Sequence, residues 1–259
     1  MTKETAEKLL RLTRQSYEEI AGEFSATRGG LWEDLRDLSK YAPVNGSILD
    51  LGCGNGRLYE LFKDKGAGYT GFDQSSRLIE LARAKWHNDI KEGKADFIVG
   101  NALKLPFADG QFDVIFSIAV MAHIPSAELQ LEFLRGAKRV LKPGGVLALT
   151  NWNLWPINLK KKSVWKYFLE KLFMPAAEWE KSFGISKKDV GFKDVFTAWQ
   201  GKSSAGRLYY RAFSLSETLD LVKRSGLQIV ESYYSGRGKK CGLWKGENIV
   251  VVAKKQENP

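Results

Sequence analysis

Gly52, Gly54 and Gly56 stand at alternate positions directly after the apolar run "SILDL" and directly before a helix-like stretch. Glycines in a strand-to-helix turn let a ligand approach the backbone and leave helix N–H groups beside it. A dinucleotide fingerprint is G-x-G-x-x-G, with its pyrophosphate on the helix N-terminus. Here the spacing is D-x-G-x-G-x-G, with Asp50 at the strand end. A carboxylate so close to the loop repels a pyrophosphate and suits a cationic ligand. No phosphate loop ending in Lys-Ser/Thr occurs, and two cysteines, Cys53 and Cys241, are too few for a zinc site, so no metal is expected.

The elements that must hold this loop are legible around it. Strand candidates "SILDLG", "YTGFD", "DFIVGN", "FDVIFSIA" and "GVLALTNW" alternate with helical patterns at residues 57–64, 77–86 and 127–140. Strand and helix in alternation over about 100 residues imply a parallel sheet covered on both faces. Residues 3–24 carry Leu9, Leu12, Ile20 and Phe24 at helical spacing, with Tyr17 near the same face. "SLSETLDLVKRSGL" is a helix with Ser214 or Ser216 as its N-cap and Gly226 just past its end. "QIVESYYS" and "NIVVVAKK" follow, joined by a Gly/Lys loop at 236–246 without a helix, so they pair antiparallel. The expected fold is α/β, a Rossmann-like, doubly wound, seven-stranded sheet, mostly parallel with an antiparallel last strand. Between the two halves, residues 151–206 hold ten lysines, five acids and five of the eight tryptophans.

Asp50-Leu51-Gly52-Cys53-Gly54-Asn55-Gly56 resembles motif I of the class I S-adenosylmethionine-dependent methyltransferases. "YTGFDQS", ending in Asp73, "GNALKLPFADGQFDVIFS" and "LKPGGVLAL" resemble the later marks of that family in the same order, over about residues 46–151. The resemblance implies an enzyme using S-adenosylmethionine and releasing S-adenosylhomocysteine. It implies cofactor contacts from Asp50, Gly52, Gly54, Gly56, Asp73, Gln74, Asn101, Ala102, Leu103 and Ser117, with Asp73 accepting both ribose hydroxyls. The third-strand acid that usually meets the adenine amino group is Asn101 here, whose amide oxygen still accepts that bond.

Methyl transfer from a sulfonium mainly requires alignment of nucleophile, methyl and sulfur. A general base is needed only for an acceptor that is weakly nucleophilic at neutral pH. Of two histidines, His87 lies in a charged helix tail, whereas His123 follows the fourth strand, where acceptor residues sit in such folds.

"YEEIAGEFSATR" and "RLYYRAFSLSETLDLVKRSGL" resemble the tRNA wobble-uridine carboxymethyl methyltransferases, which esterify a carboxymethyl group on the anticodon uridine. That resemblance implies a leading segment that closes over the cofactor through Tyr17, Phe24 and Arg28. It further implies an acceptor site built from Arg28, His123, Arg207, Tyr209 and Tyr210, and a small activating protein partner. The pattern departs from the family at Ala122, where a second histidine is usual. A carboxylate acceptor is already ionised at pH 7 and needs only cations to hold it, for which Arg28, Arg207 and Arg211 are candidates. Tyr209 and Tyr210 either stack on a base or fill the core. The Lys/Trp segment either presents lysines, Lys160 and Lys161 among them, to tRNA phosphates, or forms a helical cap whose tryptophans are core. Lys239, Lys240 and Lys245 extend the same basic surface.

The organisation read from this is a helical segment at 1–45, a cofactor-binding core at 46–151, a basic insertion serving as substrate cap at 152–206, and completion of the core sheet at 207–259. A formal charge of +10 over 259 residues points to a polyanionic partner, nucleic acid first. No apolar run reaches the roughly 18–20 residues of a membrane span, and the N-terminus has no signal-like apolar stretch, so a cytoplasmic protein is expected. The competing function is methylation of a small molecule, a quinone or a metabolite carboxylate. A complete glycine loop with Asp73 argues against an inactive regulatory subunit.

Overall fold

The computed structural model describes residues 1–27, 30–31, 33–154, 167, 169, 171–198 and 207–257. A long helix, α1 (Lys3–Ala26), is capped by the Thr2 hydroxyl and buries Leu9, Thr13, Ile20 and Ala21 along one stripe. A short α2 (Glu33–Leu38) leads to the first strands, β1 (Ser47–Leu51) and β2 (Gly68–Asp73). Helices α3 (Ser76–Lys85) and α4 (His87–Lys91) precede β3 (Ala95–Val99) and β4 (Phe112–Ile118). Then come α5 (Ala127–Val140) and β5 (Leu141–Trp152). Within the insertion lie α6 (Ala176–Phe183) and β6 (Asp194–Ala198), and β7 (Arg207–Arg211) follows it. The chain ends with α7 (Leu215–Arg224), β8 (Gln228–Gly236), β9 (Lys239–Cys241) and β10 (Asn248–Lys254).

The main sheet runs β3-β2-β1-β4-β5-β10-β8-β9. The first five strands are parallel, and β10 is antiparallel to both β5 and β8. Successive residues serve opposite faces: Leu49, Ile115, Leu149 and Val251 meet α5 and α7, while Ile48, Val114, Ala148 and Val250 meet α3 and the segment after α2. Two buried faces explain why these strands read as continuous apolar runs. Ser214 and Glu217 form a capping box at α7, and Gly226 follows that helix at φ +82°.

Two expectations are corrected. The sheet has eight strands, because the Gly/Lys loop contains β9. Arg237 and Gly238, at φ 52° and 73°, form the two-residue turn that returns the chain beside β8. Residues 57–61 form a 3₁₀ turn and not an α-helix. In addition, β7 pairs with β6 alone, in a separate two-stranded sheet. The chain therefore rejoins the core sheet at α7 and β8 and not at residue 207. The insertion has its own core: Trp179 stacks on Phe183 at 4.0 Å, with Phe196, Val195 and Tyr209 around them and Leu9 of α1 beneath. Trp179 is thus a core residue. No helix among the described residues is long and apolar enough to cross a membrane.

Glu231 on β8 fastens the chain after α2 to the sheet. It accepts from the Tyr41 hydroxyl and from Lys240 at 2.8 Å, with Lys40 at 3.4 Å. Burial pushes its carboxyl up, but the bonds from Lys240 and Tyr41 outweigh this and hold it at about 2. The unfolded chain titrates it near ~4.3, so its contribution is complete above that pH and is lost as the pH falls towards 2. Glu231→Gln is expected to lower stability by about 1 kcal/mol at pH 7 and by nothing at pH 2, read from denaturant unfolding at both pH values.

Candidate active site

The C-terminal ends of β1, β2, β4 and β5 open into one pocket, roofed by α1 through Leu10, Thr13, Tyr17 and Phe24. At its floor, Gly52 N and Cys53 N both donate to Phe72 O, tying the glycine loop to β2. Gly54 N donates to one oxygen of Asp73 and Ser75 N to the other, each at 2.9 Å. These bonds require the loop's left-handed turns, with φ +84° at Gly52 and +54° at Gly54. A Cβ on Gly52 would lie 2.2 Å from Val120 Cγ2, whereas above Gly54 the nearest atom, on the Phe24 ring, is 3.6 Å away. The cradle is closed below and open above. Burial raises the Asp73 carboxyl, and the Ser75 and Gly54 amides offset part of that rise.

Asp50 is placed behind the loop and not on the pocket wall. It is fully buried and accepts from the Tyr69 hydroxyl at 2.5 Å. Burial lifts it to about 7 in spite of that bond, and the charge of Asp73 adds to the rise. Gln74, Asn101, Ala102 and Leu103 line the pocket. Asn101 Oδ1 accepts from Leu103 N at 2.9 Å, which fixes its loop and leaves one lone pair. Ser117 is buried on the β4 core face, its hydroxyl without a partner among the described residues, and it does not line the pocket.

On the far side stand His123, Tyr210 and Trp152. His123 Nδ1 lies 2.8 Å from the Tyr209 carbonyl oxygen and Nε2 lies 2.9 Å from the Tyr17 hydroxyl. A carbonyl only accepts, so Nδ1 carries the proton and Nε2 accepts from Tyr17. Burial holds the imidazole neutral, moving it down to about 4 against the Tyr209 bond that favours the charged form. Tyr210 packs on the imidazole at 4.4 Å between ring centres, and Trp152 flanks Tyr210 at 6.4 Å.

Tyr209 and Arg211 are not brought to this wall. Alternation along β7 turns Tyr209 away from the pocket, where its hydroxyl donates to Asp194 at 2.7 Å. Arg211 is paired with Asp194 at 3.5 Å and Glu217 at 3.3 Å. Arg28, Lys160 and Lys161 lie outside the described residues, and of Arg207 only the backbone, paired with Ala198, is described.

Reading the sequence missed Glu18, whose carboxylate accepts from Ser76 N at 2.6 Å and Arg77 N at 3.1 Å and so caps α3. It also missed Trp152, Arg57 and the Ser25–Asn55 bond at 3.0 Å that pins the end of α1 to the glycine loop. Glu18 sits one residue after Tyr17 and carries no local signature of its distant partner.

A half-buried carboxylate at a glycine cradle, open only from above, fits a ligand with hydroxyl donors and a positive centre. Residues 49–149 match a family model described as a methyltransferase domain. Over those residues the fold and this site are those of a methyltransferase domain, with S-adenosylmethionine as cofactor. Within that class the chain is similar to the tRNA (carboxymethyluridine(34)-5-O)-methyltransferase ALKBH8 of Mus musculus, at 33% identity over 151 residues, 58% of this chain and 21% of the mouse protein. The chain thus spans about a fifth of that relative's length. A Synechocystis 2-methyl-6-phytyl-1,4-hydroquinone methyltransferase is 34% identical over 140 residues, 52% of this chain and 42% of the relative. Two solved structures share the fold. A Methanosarcina mazei SAM-dependent methyltransferase has a TM-score of 0.63 at 24% identity, covering 86% of this chain and 98% of that one. A Haloferax volcanii complex of the Trm112 methyltransferase activator with a putative methyltransferase has a TM-score of 0.62 at 19% identity, covering 94% and 99%.

Gly52→Ala is expected to weaken S-adenosylhomocysteine binding at least ~10-fold and to cost about 2 kcal/mol or more in stability, since it strains φ and strikes Val120. Calorimetric titration and denaturant unfolding read the two effects. For His123, folded and unfolded chains are both neutral above ~pH 6.5, and the imidazole then contributes no pH dependence. Below that, the unfolded chain takes a proton that the folded one refuses until about 4, so stability falls across the window. His123→Gln should flatten the stability profile between pH 6.5 and 4, measured as unfolding midpoints at several pH values.

Proposed function

We propose that the chain methylates the carboxylate of a carboxymethylated wobble uridine in tRNA. The observation that carries this reading is the state of His123. Its Nδ1–H is given to the Tyr209 carbonyl and its Nε2 lone pair is occupied by the Tyr17 hydroxyl. The imidazole is spent on holding the wall, so it is not a free base for an acceptor. A phenol or hydroquinone, with a pKa of about 10, would need one, whereas a carboxylate is ionised at neutral pH.

Tyr210 and Trp152 supply aromatic surface suited to a flat pyrimidine ring. Asp73 would hold the cofactor ribose, Asn101 the adenine amino group and the Gly52–Gly54 cradle its backbone-facing side. When bound, S-adenosylmethionine supplies a methyl group activated by a positive sulfur. Tyr17 and Phe24 on α1 then exclude water from above. Arg28 and Arg207 are proposed as the carboxylate clamp, and Lys160 and Lys161 as phosphate contacts. Arg211, already paired with two acids, is withdrawn from that role. The similarity to a methyltransferase solved with Trm112 supports a small activating partner here.

The test is incubation of the purified protein, with and without such an activator, with labelled S-adenosylmethionine and tRNA from a strain lacking its gene. A base-labile methyl ester on a modified uridine is expected, identified by mass spectrometry of the digested RNA. The single-turnover rate should be flat from about pH 6 to 9, because no group in the acceptor wall has to lose a proton. Label that appears only in a metabolite extract, with a rate rising tenfold per pH unit, would overturn this reading in favour of a phenolic small molecule.

A further inference from the structure

The hairpin between β8 and β10 carries an exposed tryptophan that the site above does not use. Trp244 is 74% exposed, yet the loop bearing it is tightly held. Asn153, 3% exposed, donates from Nδ2 to Leu243 O at 2.8 Å and to Gly246 O at 2.9 Å, and its own N–H donates to Glu247 O at 2.9 Å. Gly242 O accepts from both Lys245 N and Gly246 N, closing the turn. Gly246 lies so close to Tyr234 that a Cβ would meet its side chain at 2.7 Å. Asn153 is the next residue after Trp152 of the acceptor wall, and Trp152 pairs with Asn248 of β10. The loop is therefore fixed to the rim of the pocket.

An indole is costly to leave in water on a rigid loop, and such anchors mark binding surfaces. The charge around it is mainly positive, with Glu33 of α2 the acid that lies against the loop, at Gly238. Arg237, Lys239 and Lys245 are exposed and make no ion pair among the described residues, while Glu247 is the one acid in the loop. Glu231 nearby is engaged with Lys40, Lys240 and Tyr41. An aromatic face among free cations is the pattern that takes single-stranded nucleic acid, base on ring and phosphate on lysine.

We propose that residues 237–247 form a single-stranded RNA contact at the pocket rim. Trp244 stacks on a nucleotide next to the one whose base enters the pocket, and Lys239 and Lys245 hold the backbone. This rests on the tRNA reading above and adds a surface to it that is separate from the insertion.

The experiment is fluorescence anisotropy of a labelled anticodon stem-loop RNA with the full chain and S-adenosylhomocysteine, over a salt series. Trp244→Ala should weaken binding about five- to a hundredfold at fixed salt, with Trp244→Phe restoring most of it. Lys239→Glu and Lys245→Glu should each reduce the salt slope by about one. Unchanged S-adenosylhomocysteine affinity by calorimetry shows that each variant is folded. Wild-type RNA binding with a salt slope, left intact in Trp244→Ala and in the lysine variants, overturns this surface while leaving the tRNA reading standing. A wild-type chain that does not bind the RNA at any salt overturns both. Loss of a co-purifying protein from Trp244→Ala, with RNA binding unaltered, assigns the loop to a protein contact and also overturns the proposal.

Discussion

One half-buried carboxylate, Asp73, organises the cofactor side of the molecule. Removing a charge from water is expensive, so the acid must be met by donors, and two of those it finds belong to different elements. Gly54 N comes from the loop after β1 and Ser75 N from the turn that starts α3. Meeting both demands places positive φ at Gly52 and Gly54 and the start of a helix three residues beyond the end of β2. Strand, loop and helix are thus registered on one side chain. Its remaining cost, visible in the raised carboxyl, is offset once hydroxyl donors of a ligand arrive.

The roof is attached by the same economy of unpaired groups. Glu18 satisfies the amides that α3 leaves open at its N-terminus, Ser25 takes the Asn55 amide of the glycine loop, and Tyr17 meets His123. Each attachment joins α1 to a segment that itself borders the pocket. Helix and pocket therefore share their hydrogen bonds, and α1 cannot lift away without exposing donors on the body.

Much of this was legible in the sequence, and what was not follows from geometry that spacing does not carry. Gly52, Gly54 and Asp73 could be singled out in the sequence because each has a local backbone reason, and the structure brings them to one pocket. The parallel core read correctly because two buried faces leave continuous apolar strands. Tyr209 and Tyr210 show the limit: alternation guarantees that adjacent strand residues face opposite ways, but not which of them faces the pocket. The third core settled it by taking Tyr209 against Asp194. Arg211 was misread because its neutralising partners, Asp194 and Glu217, are remote or belong to a helix cap. The edge strand β9 hid inside a run that looks like loop, since only the paired positive φ values at Arg237 and Gly238 reveal the turn.

The carbonyl that sets the His123 tautomer belongs to β7, whose position is fixed by the insertion's own packing around Trp179 and Phe183. This has an evolutionary corollary. The outward surface of the cap is free to drift and to be retailored for new partners, but its strand is not free to change length. A slip of β7 by one residue against β6 would bring Tyr209's face to the wall in place of Tyr210's and turn the carbonyl away from the imidazole. Descendants of this architecture should tolerate substitution across the cap while purging insertions and deletions that alter the phase of β7.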